Sequence, residues 1–251
     1  MLICFEGLDG VGKSTIAREI SQILDLRLVE RPIKSLLDIG EEQSGTITER
    51  LYSSYSSNLQ AMYYLMGYLS ALEDSKREDI IFDRGLLSTY YFSFNDMNSF
   101  LFDALVNNCG SPDLTIILYA SIEERLRRIR ARDSSDKDLD KRRLYVDGYI
   151  KYFEGVERYK LSHYLINTEN LNKDEVLVLC QRLVRAYLKG NPKNQDIQEL
   201  LSIKNIDNLS KMSYDDLNRC LGDYLPQEGD SPKEYSLRKG MNKNNERINN
   251  K

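Results

Sequence analysis

The feature that most constrains this chain is a glycine-rich segment close to its first residue. Residues 7–14 read Gly-Leu-Asp-Gly-Val-Gly-Lys-Ser, which fits the pattern G-x-x-x-x-G-K-[ST] at every fixed position. A short apolar run, Leu2–Phe5, precedes this loop, and apolar residues at helical spacing follow Lys13. The order strand, loop and helix predicts a phosphate-binding loop set in a parallel α/β sheet.

Each fixed position of this loop has a chemical reason. The glycines let backbone N–H groups approach phosphate oxygens, and Lys13 neutralises the β- and γ-phosphates. The Ser14 hydroxyl is placed to ligate Mg²⁺, and the following helix points the positive end of its dipole at the anion. We therefore expect a catalytic role for Lys13. The residues expected to hold ATP are Gly7, Leu8, Asp9, Gly10, Val11, Gly12, Lys13, Ser14 and Thr15.

Apolar runs alternate with helical patterns along the next part of the chain. We expect strands at residues 27–29, 80–82, 114–118 and 164–166, and helices at residues 35–75 (with a polar interruption around 40–45), 121–132, 141–155 and 174–188. Strands that alternate with helices indicate parallel pairing with right-handed crossovers. The pattern predicts one α/β domain over residues 1–190.

The composition changes after residue 190. Residues 191–225 contain two short amphipathic stretches, which we expect to form small docking helices. Residues 226–251 are poor in apolar side chains and end in an Asn/Lys-rich tract. Such a segment cannot bury enough surface to offset the entropy of ordering it, so we expect a disordered tail.

Charge and composition argue against several classes of protein. The chain has 35 Lys+Arg and 39 Asp+Glu, a net charge of −4, so we expect no nucleic-acid partner. No apolar run approaches the ~18 residues of a membrane span, and the N-terminus lacks the basic start of a secretory signal. The 4 cysteines form no CxxC pair, which favours reduced thiols in the cytoplasm. The only histidine, His163, is expected to be an ordinary polar residue at a strand start.

A second motif, Asp83-Arg84-Gly85, follows the apolar strand at 80–82. Ligands of open α/β sheets bind beyond the carboxyl ends of the strands, so this motif should face the phosphate loop. We expect Asp83 to hold Mg²⁺ or its water and Arg84 to be a catalytic residue that clamps a phosphate group bidentately, with a structural ion pair as the alternative. A GTPase is not indicated, because no DxxG follows the loop and residues 172–175 read Asn-Lys-Asp-Glu instead of NKxD.

A third feature is a strongly basic segment. Residues 123–132 read Glu-Glu-Arg-Leu-Arg-Arg-Ile-Arg-Ala-Arg. On a helix, Arg128 and Arg132 are four residues apart and share a face. A mobile lid that carries arginines would exclude water and neutralise transition-state charge in a nucleotide kinase. We therefore expect both arginines to be catalytic, with a solvated amphipathic helix as the alternative.

Taken together, these segments resemble thymidylate kinases and their deoxynucleoside-kinase-like relatives. The ordered set, within residues 1–188, is Phe5–Thr15, Glu30-Arg31-Pro32, Asp83-Arg84 with Leu87-Ser88-Thr89, Pro112–Thr115 and Arg128–Arg132. The resemblance implies a P-loop NTPase fold with a five-stranded parallel sheet flanked by helices. It also implies ATP and Mg²⁺ as cofactors, transfer of the γ-phosphoryl group to a nucleoside monophosphate, and a homodimer formed by helices of the core.

The resemblance implies roles for single residues as well. Asp9 matches the loop acid that touches the deoxyribose hydroxyl of the acceptor, and Arg84 matches the arginine that clamps the acceptor phosphate. Gly10 stands where some members place a catalytic arginine, and members with glycine there supply that arginine from the lid. The basic residues at or near the lid position of this chain are Lys137, Arg142 and Arg143.

The departures from the family lie where the acceptor base would be read. Met66 stands at about the place of an arginine that contacts thymine, and Gly85 replaces a tyrosine. Residues 91–93, Tyr-Phe-Ser, replace the Ala-Tyr-Gln that lines the acceptor pocket. A site built on hydrogen bonds to one base loses most of its discrimination without those partners, so the acceptor base stays open. The residues expected to contact the acceptor are Asp9, Glu30, Arg31, Arg84, Tyr91 and Phe92.

Two other functions remain open at this point. A deoxynucleoside kinase would need a base near a sugar hydroxyl, and Glu30, ahead of Pro32, could serve. A regulatory P-loop protein that binds ATP without catalysis is suggested by the altered base pocket and by the long C-terminal segment. The complete set of Lys13, Ser14 and Asp83 favours an enzyme over that last alternative.

Overall fold

Five apolar segments of the chain form parallel strands that lie side by side in one sheet. They are β1 (Leu2–Glu6), β2 (Arg27–Glu30), β3 (Ile80–Asp83), β4 (Leu114–Tyr119) and β5 (His163–Asn167), in the order β2-β3-β1-β4-β5. The computed structural model describes residues 1–31, 40–136, 139, 149–190 and 206–207. The parallel α/β sheet predicted from the sequence is confirmed, and His163 begins β5 as expected.

A sixth strand, β6 (Ile206–Asp207), pairs antiparallel with β5 at the edge of the sheet. The sequence pattern does not predict it, because two residues carry no periodic signal. These two residues are the part of the segment after 190 that the structure describes. The docking helices expected within 191–225 and the tail expected at 226–251 otherwise lie outside the described residues.

Helices cover both faces of the sheet. In the described part of the chain they are α1 (Lys13–Leu24), α2 (Glu41–Ser54), α3 (Ser57–Asp74), α4 (Leu86–Ser93), α5 (Ser99–Cys109), α6 (Ile122–Arg132), α7 (Tyr149–Tyr159) and α8 (Lys173–Leu188). None of these described helices has the length and apolar character needed to cross a membrane.

The sheet separates two apolar cores, because successive residues of a strand point to opposite faces. Leu2 and Cys4 of β1 pack with α3, α4, α5 and α7, which we name the α3/α4 core. Ile3 and Phe5 pack with α1 and α8, which we name the α1/α8 core. The position of the last residue in each strand therefore determines the face of the sheet to which its side chain points.

Parallel pairing brings the carboxyl ends of β1, β2 and β3 to one edge. The Cα atom of Phe5 pairs with that of Asp83, which in turn pairs with that of Glu30. The loop after β1, Asp83-Arg84 after β3 and Arg31 after β2 consequently meet at this edge, as expected for ligand sites of open α/β sheets.

The predicted polar interruption around 40–45 is confirmed only at Gly40, whose backbone is extended, and the helix expected at 35–39 lies outside the described residues. Helix α2 begins at Glu41 and runs through Gly45 without a break. Gly45 is exposed, and the helix forms although glycine lowers helix stability by about 1 kcal/mol relative to alanine. The helix ends instead before Tyr55 and Ser56, which are both extended and separate α2 from α3.

Helices α4 and α5 are additional to the predicted elements. Six of the eight residues of α4 are buried, so the helix has no wide polar face to produce a 3.6-residue pattern. The first part of the helix expected at 141–155 lies outside the described residues, and α7 begins at Tyr149.

Candidate active site

The loop between β1 and α1 has the backbone shape that its glycines predict. Gly7, Gly10 and Gly12 have positive φ angles, and α1 begins at Lys13. Lys13 is 4% exposed, and its Nζ donates a hydrogen bond to the Leu8 carbonyl at 2.8 Å. Burial lowers the pKa of Lys13 to about 7. Phosphate oxygens in the loop would favour the charged form of this amine.

Helix α6 packs directly on this loop. Gly10 has a φ of +89°, and a Cβ atom there would lie 2.8 Å from the backbone oxygen of Arg125. Arg125 is 2% exposed, and its Nε donates to the Asp9 carbonyl at 2.9 Å. An arginine at position 10 would therefore collide with α6. Arg125 was not predicted, and its signal in the sequence is its place beside Leu126 and Ile129, the apolar residues of α6.

Arg84 follows β3 and faces the same loop. Its φ of +70° is a left-handed conformation that arginine seldom adopts, and its backbone N–H donates to the Phe5 carbonyl at 3.0 Å. Its Nη2 atom lies 2.5 Å from Asp9 Oδ1. Burial alone would lower the pKa of Arg84, but the Asp9 carboxylate more than offsets burial and the pKa is raised. The ion pair brings the predicted phosphate clamp together with the predicted loop acid.

Asp83 and Ser14 are the predicted metal ligands. Asp83 ends β3, is 5% exposed, and has a buried Oδ1 without a hydrogen-bond partner among the residues that the structure describes. Such an oxygen is costly to bury, and a cation or its bound water would satisfy it. Ser14 lies in the first turn of α1. Because Mg²⁺ takes one or two protein oxygens and completes its shell with phosphates and water, these residues fit that ion.

Arg31 lies among residues of α3 and α4. Its Nη1 donates to Thr89 Oγ1 at 3.0 Å, and its guanidinium carbon is 4.0 Å from the ring centre of Tyr64 and 5.8 Å from that of Phe92. Burial, and after it the charge of Arg84, lowers the pKa of Arg31. The positive charge of Arg84 thus acts on Arg31 at this edge. A bound anion would relieve their repulsion.

Glu30 points to the face of the sheet that α1 covers, opposite to the face on which Arg31 lies. Its Oε1 accepts a hydrogen bond from Arg18 Nη2 of α1 at 2.9 Å, at the exposed surface. Neighbouring residues of an extended chain point in opposite directions, which separates Glu30 from Arg31. The structure therefore does not bring Glu30 together with Arg31 and Arg84.

Tyr91 and Phe92 are half-buried on α4. Their ring centres are 4.8 Å apart at an angle of 74°, and the Tyr91 ring lies 5.6 Å from that of Tyr152 on α7. These rings form apolar surface beside Arg31, on which a base or sugar could pack. Met66, at about the position of the base-reading arginine, is instead exposed on α3.

Arg128 and Arg132 of α6 reach different places. Arg128 donates from Nη1 to Thr168 Oγ1 at 2.9 Å and from Nη2 to the Thr168 carbonyl at 2.6 Å. Its Nη1 also lies 3.5 Å from the Val11 carbonyl of the loop. Arg132 pairs with Asp136 at 2.5 Å at an exposed position. The expected common face therefore does not bring the two guanidinium groups together.

A cavity of about 320 Å³ lies between the loop, α6 and α8. Val11, Thr15, Arg128 and Thr168 are among its lining residues. Its size and its place beside the loop suit the base of a nucleoside triphosphate. The lid candidates Lys137, Arg142 and Arg143 lie outside the described residues.

Two tyrosines of α7 bind the backbone of the loop. Tyr149 Oη donates to the Leu118 carbonyl at 2.7 Å and accepts from the Leu8 N–H at 3.4 Å. Tyr152 Oη donates to the Gly7 carbonyl at 3.1 Å. The sequence gives no signal for this role, because both rings also fit an ordinary apolar helix face.

Comparisons with known proteins agree with this geometry. The family model described as thymidylate kinase matches residues 5–177. A probable thymidylate kinase from Methanocaldococcus jannaschii is 26% identical over 200 residues, which cover 76% of this chain and 97% of that relative.

Two solved structures show the same fold. The thymidylate kinase from Candida albicans aligns with a TM-score of 0.55 and 18% identity, over 74% of this chain and 92% of that chain. A deoxyadenosine kinase from M. mycoides with bound dCTP aligns with a TM-score of 0.51 and 21% identity, over 74% and 100% of the two chains. Because the family model spans most of the chain and the loop and strand ends have the arrangement described above, the chain is a nucleotide kinase that belongs to the thymidylate kinase family.

Proposed function

We propose that this protein transfers the γ-phosphoryl group of ATP to a nucleoside monophosphate, in the presence of Mg²⁺, to give the diphosphate. The observation that carries the proposal is the presence of two arginines at the ends of β2 and β3, with Arg84 paired to Asp9 of the phosphate loop and Arg31 bonded to Thr89 of α4. Arginine matches the geometry of phosphate with two parallel hydrogen bonds. Two such groups at the acceptor side suit an acceptor that is itself a phosphate.

The donor side follows from the loop. Residues 7–15 would hold the phosphates of ATP, with Lys13 and the N-terminus of α1 offsetting their charge. Arg128 borders the cavity that suits the donor base. Asp83 and Ser14 would hold Mg²⁺, which supplies positive charge to the phosphate oxygens.

The acceptor phosphate needs to be placed and neutralised more than activated, because it is already ionised near neutral pH. Arg84 and Arg31 would orient it toward the γ-phosphate. Asp9, which pairs with Arg84, would accept a hydrogen bond from the sugar. Arg132, in the basic segment, would reach the reacting groups only by leaving Asp136.

The acceptor that we propose first is dTMP or a related deoxynucleoside monophosphate. Membership of the thymidylate kinase family and the relative from M. jannaschii support this choice. Tyr91 and Phe92 offer ring surface against which more than one base can pack.

The alternatives find less support. A sugar hydroxyl would need a general base beside it, and Glu30 pairs with Arg18 toward α1 instead. A protein that only binds ATP would have no need for the two arginines on the acceptor side of the loop, Arg31 and Arg84.

The direct test is release of ADP by the purified protein with Mg-ATP and each common nucleoside monophosphate or nucleoside in turn. We expect turnover with at least one monophosphate and none with nucleosides. Turnover with nucleosides alone would replace the proposal with a deoxynucleoside kinase. ATP binding without any turnover would replace it with a regulatory protein.

We also propose that residues 1–190 form the kinase domain and that the protein works in the cytoplasm. Three cysteines of the described chain are free, and two of them, Cys4 and Cys180, are buried. Buried reduced thiols suit a reducing compartment.

The outer face of α3 supports a homodimer. Residues 57–72 of this helix include no charged side chain. Its inner face is buried, whereas Leu59, Met62 and Met66 form an exposed apolar stripe on the other side. An exposed apolar stripe on a helix whose other face is buried marks a surface that is usually covered, and an uncharged stripe can pack against its own copy without repulsion. We propose that two copies pair through this stripe.

Met62→Glu should convert the dimer into a monomer, because it would bring two like charges together in the stripe. The mass measured by light scattering should fall by half. The control is Met97→Glu, since Met97 is more exposed, at 80% against 53% for Met62, and lies outside the stripe. A wild-type protein that is monomeric, or a Met62→Glu variant that stays dimeric, would exclude this interface.

A further inference from the structure

A fully buried carboxylate at the end of β1 has no part in the reaction described above. Glu6 is the last residue of β1 and is 0% exposed. Carboxylates are seldom buried unless they are paired or fully hydrogen-bonded, because loss of hydration penalises their charge. Within the described part of the chain, the hydrogen bonds of its side chain all lead to one element, helix α4.

Glu6 binds the first turn of α4. Its Oε1 accepts from the Leu87 N–H at 3.0 Å, and its Oε2 accepts from the Ser88 N–H at 3.1 Å and from Ser88 Oγ at 2.5 Å. The N–H groups in the first turn of a helix have no partner within it. The residue before α4, Gly85, cannot supply a side-chain cap, and a Cβ there would lie 2.7 Å from Cys4 Sγ. Glu6 therefore caps α4 from the neighbouring strand.

The capped helix carries groups of the proposed acceptor side. Arg84 is two residues before its start, and Thr89 in its first turns accepts the hydrogen bond from Arg31. Tyr91 and Phe92 lie further along the same helix. Any shift of α4 would move these groups together relative to the phosphate loop.

Glu6 is also joined to the loop by two routes. Through the chain it is the residue before Gly7, where the loop begins. Through space, Ser88 Oγ lies 3.1 Å from Tyr152 Oη, which donates to the Gly7 carbonyl at 3.1 Å. Glu6, Ser88, Tyr152 and Gly7 thus form a closed ring of contacts between the loop and α4.

We propose that Glu6 is a positioning residue that fixes the acceptor helix α4 relative to the phosphate loop. The inference rests on the proposed phosphoryl transfer to a monophosphate. Glu6 itself touches neither substrate. In-line transfer depends on the placement of the two phosphates, and a displacement of about 1 Å can reduce the rate about 100-fold.

Glu6→Gln tests the proposal with little change in volume. The amide nitrogen cannot accept a hydrogen bond, so one N–H group of α4 loses its partner. We expect kcat to fall about 100-fold, with the KM for ATP changed less than about twofold. Amide hydrogen exchange should become faster at Leu87 and Ser88 and stay unchanged in α8.

Ser88→Ala is the second variant. It removes the hydroxyl that joins Glu6 to Tyr152 but keeps the backbone N–H groups. We expect a smaller loss of kcat than in Glu6→Gln. Because both side chains belong to one network, the double variant should lose less than the product of the two single losses. This variant carries the test if Glu6→Gln does not fold.

Glu175→Gln is the control at another helix N-terminus. Glu175, an exposed residue in the first turn of α8, accepts with Oε2 from the Asn172 N–H at 2.7 Å, and α8 packs in the other core. This variant should lose thermal stability and keep kcat. An unchanged kcat in Glu6→Gln, or an equal loss of kcat in both variants that follows the melting temperature, would overturn the positioning role.

The exchange measurement separates this proposal from the proposed function. If the wild-type protein turned over no acceptor, the proposed function would fail. Amide hydrogen exchange at Leu87 and Ser88 would still test whether Glu6 holds α4 in place. Faster exchange confined to the first turn of α4 in Glu6→Gln would support the positioning role. Unchanged exchange at Leu87 and Ser88 would overturn it.

Discussion

Replacement of Lys13 by methionine should lower kcat/KM for phosphoryl transfer about 100- to 1,000-fold while the melting temperature stays the same or rises. In the structure, Nζ donates to the Leu8 carbonyl, a position from which it can turn to a phosphate. Loss of one positive group aimed at transition-state charge typically has an effect of this size. A buried amine whose pKa is lowered to about 7 costs free energy to keep charged, and methionine fills similar space without that cost.

Lys151→Met is the matched control for this prediction. Lys151 also donates to a backbone carbonyl, that of Phe94 at 2.9 Å, and burial lowers its pKa as well. It lies on α7 like Tyr149 and Tyr152, but its Nζ bonds to Phe94 beyond the end of α4 instead of the phosphate loop. Steady-state kinetics should show no large change in this variant. If Lys13→Met kept most of its activity, or if both variants lost activity equally, Lys13 would have no specific role in transfer.

Replacement of Arg84 by glycine should greatly lower activity with the monophosphate while the melting temperature stays nearly unchanged. Without the guanidinium group, kcat/KM for the monophosphate should fall about 100- to 1,000-fold, and the Kd for ATP should change less than about threefold. Glycine adopts a φ of +70° without strain, which arginine does at a cost of about 1–2 kcal/mol. The relief of this backbone strain offsets the loss of the ion pair with Asp9, so the melting temperature should change little.

Arg84→Lys completes the experiment. Lysine keeps the charge but not the planar fork, so we expect an intermediate kcat/KM for the monophosphate. ATP binding, measured by calorimetry, should stay close to that of the wild-type protein in both variants. Equal losses in ATP binding and in use of the acceptor would show that Arg84 maintains the loop instead of clamping the acceptor.

The parts of the fold with strong local signals could be predicted from the sequence. The glycine-rich loop defines its own backbone, and buried strands such as Leu114–Tyr119 stand out as apolar runs between helical patterns. The break between α2 and α3 could not be predicted, because glycine at position 45 looks like a stronger helix breaker than Tyr55 or Ser56. At the break, Gln60 of α3 donates from Nε2 to the Leu51 and Tyr55 carbonyls at 3.0 and 3.2 Å, a contact between the two helices for which the local sequence carries no signal.

The candidate site was predicted as a set of residues but not as an arrangement. Arg84 and Asp83 follow from their place at a strand end, whereas the orientation of Glu30 depends on which face of the sheet receives it. Arg125 lies in a run of arginines, and charge alone does not tell which of them turns inward. Its apolar neighbours Leu126 and Ile129 are one signal that could have identified Arg125, and a carboxylate inside an apolar strand, as at Glu6, is another.

The division of the interior by the sheet bears on how such an enzyme can change its substrate. The cavity that suits the ATP base borders the α1/α8 core, whereas Tyr91 packs against the α3/α4 core and Arg31 binds Thr89 of α4. Mutations separated by a rigid sheet and without shared partners combine nearly independently. Evolution, or a laboratory selection, can therefore replace the side chains around the acceptor one after another while the use of ATP is inherited unchanged.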